Sequence, residues 1–180
     1  LEIKSFLNSG VKNEDSNWDD AFWQTTALHT QEEKALIEAQ TNKTHFKTAT
    51  YQGTQVFVNT HDRQTPSQTI KEDLEVGHLY ECSLKAGEEV VVYKYAGYVL
   101  QRKHNKPLQE VAFELVDQAA SAGFPALLAA QEKAWKQVWD MADIVIEGDV
   151  KAQQGIRFNI FQLNQTYLGT DAQLNIGPKG

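Results

Sequence analysis

The pattern of the sequence changes at Pro107, and this change divides the chain into a part predicted to form sheets and a part predicted to form helices. Before it, runs rich in Thr, Val and Tyr are broken by Gly, Asn and Asp at intervals of roughly ten residues, which is typical of an antiparallel β-sandwich. After it, apolar residues recur at helical spacing. Proline fits the first turn of a helix, because its missing N–H would have no partner there.

The first part contains six strand-like segments, and its longer irregular stretch is predicted as a connection. Residues 90–93 are apolar in both alternation phases, so the last strand is expected in the middle of a sheet, covered on both faces. Gly53 predicts a hairpin within 51–59, and Pro66 predicts a loop with a short helical turn over 61–75. The predicted strands lie in residues 1–13, 22–31, 35–42, 46–60, 77–87 and 88–103.

Three helices are predicted in the second part. The first has its apolar face on Leu108, Val111 and Leu115 and ends near Gly123, and the second repeats the pattern from Phe124 to Ala142. The third begins near Val150 and continues to about Tyr167. Its polar positions carry mainly amides and hydroxyls rather than Glu and Lys, which predicts that this helix is buried or packed against a polar cavity.

Composition excludes some classes of partner. The formal net charge is −7 and the pI about 5.2, without any block of Lys and Arg, so neither nucleic acid nor an acidic membrane is an expected partner. The chain has no apolar run of about eighteen residues that would span a bilayer. The single cysteine, Cys82, excludes an internal disulfide and is expected to be buried, consistent with a cytoplasmic localisation.

The titratable residues show no local catalytic or metal-binding pattern. The five histidines lack the spacing of a metal pair, so no metal site is expected. Glu110 and Glu114 are expected on the wet side of the first helix. Glu147 and Asp149 are expected to cap the third helix, where a carboxylate meets unpaired N–H groups.

Tryptophans offer flat faces on which sugar rings can stack. Trp135 and Trp139 continue an apolar stripe, so we expect them in a core. Trp18 and Trp23 flank an acidic patch in a loop-like setting. Either could lie in a core or at the rim of a binding site, and Trp18 is the candidate for the rim.

Three segments near the end of the chain resemble the maltose, kojibiose, nigerose and trehalose phosphorylases of glycoside hydrolase family 65. They are IEGD at 146–149, RFNIFQL at 157–163 and DAQLNIGPKG at 171–180, in the order and spacing of that family. The chain has Gln173 where family members usually have Arg. Specific similarity covers 135–180, while the β part is similar in its strand pattern.

The resemblance implies an architecture. It implies a β-sandwich domain at 1–104, linker helices at 105–145 and the start of a truncated (α/α)6 catalytic domain at 146–180, so that the chain is expected to be a fragment of a longer enzyme. The catalytic residues of the family lie downstream, and none is carried onto this chain. The terminal loop leads toward the sugar pocket in the family, which makes Asn175 and Lys179 the candidates for substrate binding.

The resemblance also implies an activity for the longer protein. It is expected to be an inverting phosphorylase that cleaves an α-glucosidic disaccharide to β-glucose 1-phosphate, with inorganic phosphate as co-substrate and no cofactor. A homodimer is expected, and the chain alone is expected to be inactive. Two alternatives remain open: an α-glucoside hydrolase of the same family, and a stand-alone carbohydrate-binding or assembly β module.

Overall fold

The strands precede the helices along the chain, as the change of pattern at Pro107 predicts. The structure is a computed structural model and describes residues 1–10, 21–59, 64–167 and 169. Within these ranges, the strands are β1 Glu2–Asn8, β2 Trp23–Gln31, β3 Lys34–Thr41, β4 Lys47–Val58, β5 Ser67–Lys71, β6 Glu75–Glu81 and β7 Val90–Leu100. A 3-10 turn at Gln101–Lys103 precedes the helices α1 Leu108–Ala122, α2 Phe124–Ala142 and α3 Val150–Thr166.

The strands form two antiparallel sheets. The three-stranded sheet has the order β1-β6-β5, and the four-stranded sheet has the order β2-β3-β4-β7. Ser5 of β1 and Thr69 of β5 lie on either side of His78 of β6, while Leu36 of β3 lies opposite Tyr51 of β4. The predicted antiparallel sandwich followed by helices is therefore confirmed.

The space between the two sheets is apolar at both ends and polar in the middle. Because side chains alternate between faces, Val76, His78 and Tyr80 of β6 all face inward, and all are fully buried. Val76 joins one apolar cluster with Ala35 and Ile37. Tyr80 joins the other with Val56 and Cys82. His78 lies between them, beside the buried side chains of Ser5, Gln52 and Thr54.

Helix α1 covers the outer face of the four-stranded sheet. Its buried residues Leu108, Val111, Ala112 and Phe113 pack against Leu36, Ala49 and Val99. Each large side chain buried in this way contributes about 1.5–3 kcal/mol. The helix ends at Gly123, whose positive φ of 78° and N–H bond to the Ala119 carbonyl close its last turn. The predicted first helix is thus confirmed, with Leu108 and Val111 on its buried face, whereas Leu115 of the predicted face is 38% exposed.

Contacts divide the chain into two compact units, Leu1–Phe124 and Pro125–Gly180. The first unit contains both sheets and α1. The second contains the rest of α2, and α3. The predicted domain boundaries at residues 104 and 145 remain predictions. Among the described residues, no helix is long and apolar enough to cross a membrane.

In the second unit, α2 and α3 meet through aromatic and polar contacts. Trp135 stacks on Trp139 of its own helix and on Phe161 of α3, with ring centroids 5.9 and 4.9 Å apart. Arg157 donates to both carboxylate oxygens of Asp143, at 2.9 and 2.6 Å. Asp149 caps α3 by accepting from the N–H groups of the second and third helical residues, which confirms its predicted role.

Three expectations for this unit are wrong. Glu147 is exposed and makes no capping bond among the described residues. With only the described residues counted, α3 has no buried residue, and Phe158 and Leu163 are 58% and 69% exposed. The tryptophans are half-buried rather than enclosed in a core.

Three strand-level predictions are also wrong. Residues 51–59 form no hairpin, because β4 continues through Gly53 and pairs along its length with β7. Within 61–75, β5 replaces the predicted loop, since pairing with β6 lets a short polar segment adopt extended structure. Strand β7 pairs only with β4 among the described strands and lies at a sheet edge. The predicted cover on both faces is wrong as well, because Val92, Lys94, Ala96 and Tyr98 on one face of β7 are exposed, Tyr98 by 74%.

Gly53 is the place where α1 approaches the sheet most closely. A Cβ added there would lie 2.2 Å from Val116 Cγ1, whereas one added at Gly155 in α3 would meet nothing within 4 Å. We expect Gly53→Ala to lower the free energy of unfolding by about 1–3 kcal/mol, because the helix must shift outward. Gly155→Ala should instead raise it by about 1 kcal/mol through helix propensity.

The measurement is urea denaturation of both variants, followed by far-UV circular dichroism. A stability of Gly53→Ala equal to or above that of the parent chain would contradict the packing of α1 described above.

Candidate functional site

A cavity of about 350 Å³ opens between the β2–β3 turn and α1, within the first compact unit. One wall is the turn, and the other is the side of α1 that faces away from its buried stripe. The cavity is lined by Gln31, Lys34, Pro107, Gln109, Glu110, Phe113, Glu114 and Asp117. Charged and amide side chains therefore surround an apolar floor that includes Pro107 and Phe113.

Lys34 is the buried cation of this cavity. Only 6% of the residue is exposed, yet its Nζ lies 2.8 Å from both carboxylate oxygens of Asp117 and 5.5 Å from the centre of the Phe113 ring. The aliphatic stem is buried at the start of β3, while the charged end reaches Asp117, whose side chain is 64% exposed. This ion pair joins the β2–β3 turn to α1.

The preceding residue joins the same turn to the interior of the sandwich. The Tyr80 hydroxyl donates to Glu33 Oε2 at 2.6 Å and approaches the Thr54 carbonyl at 2.9 Å. The Thr54 N–H in turn donates to the Glu33 carbonyl at 3.2 Å. Burial, followed by the bond to Glu33, raises the pKa of Tyr80 far above its usual range, so the phenol stays a donor.

The acidic side of the cavity is organised by Lys106. Its Nζ lies 3.0 Å from Glu110 Oε1 and 2.9 Å from Glu114 Oε1. The hydrogen bonds to Glu114 and then Glu110 raise the pKa of Lys106. Both carboxylates lie on the wet side of α1, as predicted, and each keeps its second oxygen available.

The lining favours neutral polar molecules. Glu110, Glu114 and Asp117 outnumber the two lysines that pair with them, and the remaining negative charge disfavours anions such as phosphate. The side-chain amides of Gln31 and Gln109 make no hydrogen bond with other described residues. Amides and carboxylates can together donate to and accept from hydroxyl groups, as a hydroxylated ligand requires.

The carboxyl groups outside the cavity whose pKa values are shifted are not suited to general acid catalysis. In the described part of the chain, the pKa is shifted for Glu75 and Asp143, and both pKa values are lowered by a hydrogen-bonded cation: Lys4 for Glu75 and Arg157 for Asp143. A general acid at neutral pH needs a raised pKa instead. Neither carboxyl group has this property.

The histidines do not come together. His29 lies 3.8 Å from Glu38, His45 Nδ1 lies 2.7 Å from Gln40 Nε2, and His78 is enclosed between the sheets. No group of three or more potential metal ligands occurs in the ranges that the structure describes.

The residues predicted for sugar binding, Trp18, Asn175 and Lys179, lie outside the described residues. They remain predictions. Trp23, which shares the loop-like segment with Trp18, begins β2, is 46% exposed and packs edge-on against Phe46, with ring centroids 6.4 Å apart.

Sequence reasoning did not find the Lys34–Asp117 pair. The two residues are 83 positions apart, and each belongs to an ordinary local pattern: Lys34 to a charged turn and Asp117 to the polar side of a helix. Local periodicity carries no signal for such a contact. The only available hint was a lysine directly before the apolar run of β3.

The family described as glycosyl hydrolase family 65, N-terminal domain, matches residues 1–138. The chain belongs to glycosyl hydrolase family 65. It is 33% identical to the maltose phosphorylase of Bacillus subtilis (strain 168) over 181 residues, which cover 100% of the chain and 23% of that protein. It is 39% identical to the kojibiose phosphorylase of Caldanaerobacter subterraneus subsp. tengcongensis over 93 residues, 51% of the chain and 12% of that protein.

A solved structure shares the fold. A protein from the human microbiome, provisionally named as a kojibiose phosphorylase, superposes with a TM-score of 0.79 at 23% identity, over 99% of this chain and 23% of its own. The chain thus spans about a quarter of the length of the family 65 relatives that it matches from end to end. The predicted family is confirmed, and its matched domain covers the β part, whereas the three terminal segments lie beyond residue 138.

The ion pair at the cavity should be a measurable part of the stability of the first unit. Asp117→Asn leaves the buried Lys34 with a neutral partner, and we expect a loss of about 1–2 kcal/mol in the free energy of unfolding. Asp140→Asn is the matched control. It removes the same kind of contact from the exposed Lys136–Asp140 pair and should cost about 0.5 kcal/mol or less.

Urea denaturation of the two variants compares them directly. Equal losses would mean that burial of Lys34 adds nothing to the interaction.

Proposed function

We propose that the protein to which this chain belongs is an inverting disaccharide phosphorylase. It cleaves an α-glucosidic bond with inorganic phosphate and releases β-glucose 1-phosphate and a second glucose. The observation that carries this proposal is membership of family 65, together with similarity along the whole chain to a protein named maltose phosphorylase. Relatives named for trehalose, kojibiose and nigerose support the disaccharide class without selecting one sugar.

The proposed reaction needs a general acid, which we do not assign to a described residue of this chain. Phosphate attacks the anomeric carbon from the face opposite the leaving oxygen, and one protein carboxylic acid protonates that oxygen. The shifted carboxyl groups among the described residues, Glu75 and Asp143, have pKa values lowered by cations, which is the opposite of what this acid needs. We therefore propose that the chain is inactive alone and that the catalytic residues lie in the rest of the protein.

The role proposed for the chain is structural. The four-stranded sheet and α1 share a buried core, and the exposed apolar side chains of α3 are suited to a further packing partner. Trp18, Asn175 and Lys179 are proposed to approach the sugar pocket of the longer protein. The protein is further proposed to be a cytoplasmic homodimer that acts on a disaccharide without a cofactor and without nucleic acid or membrane partners.

The test is phosphate dependence of the full-length protein. Maltose, kojibiose, nigerose and trehalose are each incubated with and without inorganic phosphate, and the products are followed by ¹H and ³¹P NMR. We expect cleavage of at least one sugar only with phosphate, and the coupling constant of the first glucose 1-phosphate formed should identify the β anomer. Residues 1–180 alone should give no turnover.

Two results would exclude this proposal. Glucose release at the same rate without phosphate would identify the α-glucoside hydrolase of the alternative interpretation. An α anomer as the first product would exclude inversion.

The cavity beside Lys34 supports a second candidate, a carbohydrate-binding role for the β domain itself. Its free amides and half-engaged carboxylates match the donors and acceptors of a sugar, and its charge disfavours anions. If this holds, the chain binds maltose more tightly than glucose 1-phosphate in calorimetric titration. Gln109→Ala should weaken maltose binding about tenfold through the loss of one or two hydrogen bonds.

Gln118→Ala is the matched control, since Gln118 lies on the same helix, is exposed and does not line the cavity. Absence of maltose binding, or equal effects of the two variants, would remove this candidate.

A further inference from the structure

The buried polar band between the sheets contains a histidine without a good hydrogen-bond partner. His78 is fully buried, and neither ring nitrogen has a partner of good hydrogen-bond geometry among the described residues, although the Glu32 backbone lies close enough to favour protonation of the ring. Its neighbours bond to one another instead: Ser5 Oγ lies 2.7 Å from Thr54 Oγ1, and Gln52 Nε2 donates to Ser5 Oγ at 3.3 Å. A neutral imidazole in this position lacks good partners for its one N–H donor and its one acceptor nitrogen. A protonated imidazole would instead have two N–H donors without good partners.

One charged group on the β2–β3 turn lies near His78. The Glu33 carboxylate and the Glu32 carbonyl both favour protonation of the imidazole, but burial has the larger effect and lowers the pKa of His78 below its usual 6.5. Glu33 is not free to move toward the ring, because its Oε2 accepts the Tyr80 hydroxyl at 2.6 Å and its carbonyl accepts the Thr54 N–H.

The other elements around His78 offer no anion. Strand β1 presents Ser5, and β4 presents Gln52 and Thr54, which are all uncharged. Strand β5 places Thr69 opposite His78. Lys71 lies two residues further along on the same face of β5, and its positive charge opposes protonation of His78. Tyr80 on the same strand as His78 stays neutral.

We propose that the β2–β3 turn is a pH-sensitive latch, which acid opens because a protonated His78 favours a state in which the turn lifts from the sandwich and admits water. The turn is the element that can respond, because it is a surface connection held by a few bonds, whereas the strands around His78 are held by continuous ladders. Lys34 is the first residue of β3, directly after the turn, so opening of the turn also weakens the ion pair with Asp117 and loosens α1.

The direction of the pH effect follows from linkage. The pKa of His78 is lower in the closed state than in the open state, where water restores a value near 6.5, so the open state binds more protons. The closed state keeps its full stability above about pH 6.5, the open-state pKa of His78. This stability decreases as the pH falls from 6.5 toward the closed-state pKa. At pH 5.5 the open population can rise by at most about tenfold relative to pH 7.5 from this one proton.

Hydrogen exchange on the 180-residue chain tests the latch. After correction for intrinsic rates, we expect the Thr54 amide, which is bonded to the Glu33 carbonyl, to open more at pH 5.5 than at pH 7.5, by up to about tenfold. Amides of the β4–β7 ladder beyond Thr54 should change by less than about twofold, because local opening leaves that ladder intact. An equal change in both sets would mean global unfolding and would overturn the proposal.

Two variants separate the proton from the latch itself. His78→Phe keeps a buried ring without a titrating nitrogen and should abolish the pH dependence at Thr54. Tyr80→Phe removes the bond to Glu33 and should raise opening at both pH values, so that the ratio between them stays as in the parent chain. His29→Phe is the matched control, since His29 lies outside the polar band, beside Glu38, and its replacement should leave the response unchanged.

Should His78→Phe fail to fold, the imidazole of the parent chain decides the question. Titration of the His78 ring by ¹H–¹³C NMR must give a pKa below 6.5, with the Thr54 opening following that titration. A pKa at or above 6.5, or an unchanged pH response in His78→Phe, would overturn the latch.

Discussion

The β2–β3 turn is the point on which the packing of the first unit depends. Successive residues of an extended chain point to opposite faces, and here the two faces meet different partners. Glu33 reaches inward to Tyr80 and Thr54, while Lys34 reaches outward to Asp117 on α1. One short connection therefore ties the interior of the sandwich to the helix that covers its outer face.

The polar band inside the sandwich has a physical cost and a structural consequence. Burying Ser5, Gln52, Thr54 and His78 forgoes the transfer free energy that apolar side chains would give, and only part of their hydrogen-bonding capacity is met. Bonds between Ser5 and β4 connect the two sheets at a defined register, which apolar contacts alone specify less sharply. The apolar clusters at either end supply the bulk of the burial.

The second unit shows a different balance. Its helices are joined by stacked aromatic rings and by the Arg157–Asp143 pair, but none of their described residues is buried. A helix with few charges and exposed Phe158 and Leu163 is suited to further packing. This agrees with a chain that matches about a quarter of the length of its family 65 relatives.

The sequence by itself determined that a sheet part precedes a helical part, the type of most elements, and the family. Periodicity is local, so the switch at Pro107 predicts a sandwich followed by helices, the stripe of Leu108 and Val111 gives the buried face of α1, and Asp149 marks the start of α3. The terminal segments carried the family resemblance. Sugar-binding candidates could be taken only from that resemblance.

Tertiary structure alone decided the pairings between distant residues. Position 53 of β4 has no room for a side chain, because Val116 of α1 occupies the space above Gly53. Strand β7 lies at a sheet edge, and the hydrophobicity of one strand does not encode the order of strands in a sheet. The cavity, with Lys34 held by a residue 83 positions away, and the position of His78 under Glu33 also depend on long-range packing. Local sequence patterns describe neighbours along the chain, whereas these contacts exist only once both sheets and α1 have come together.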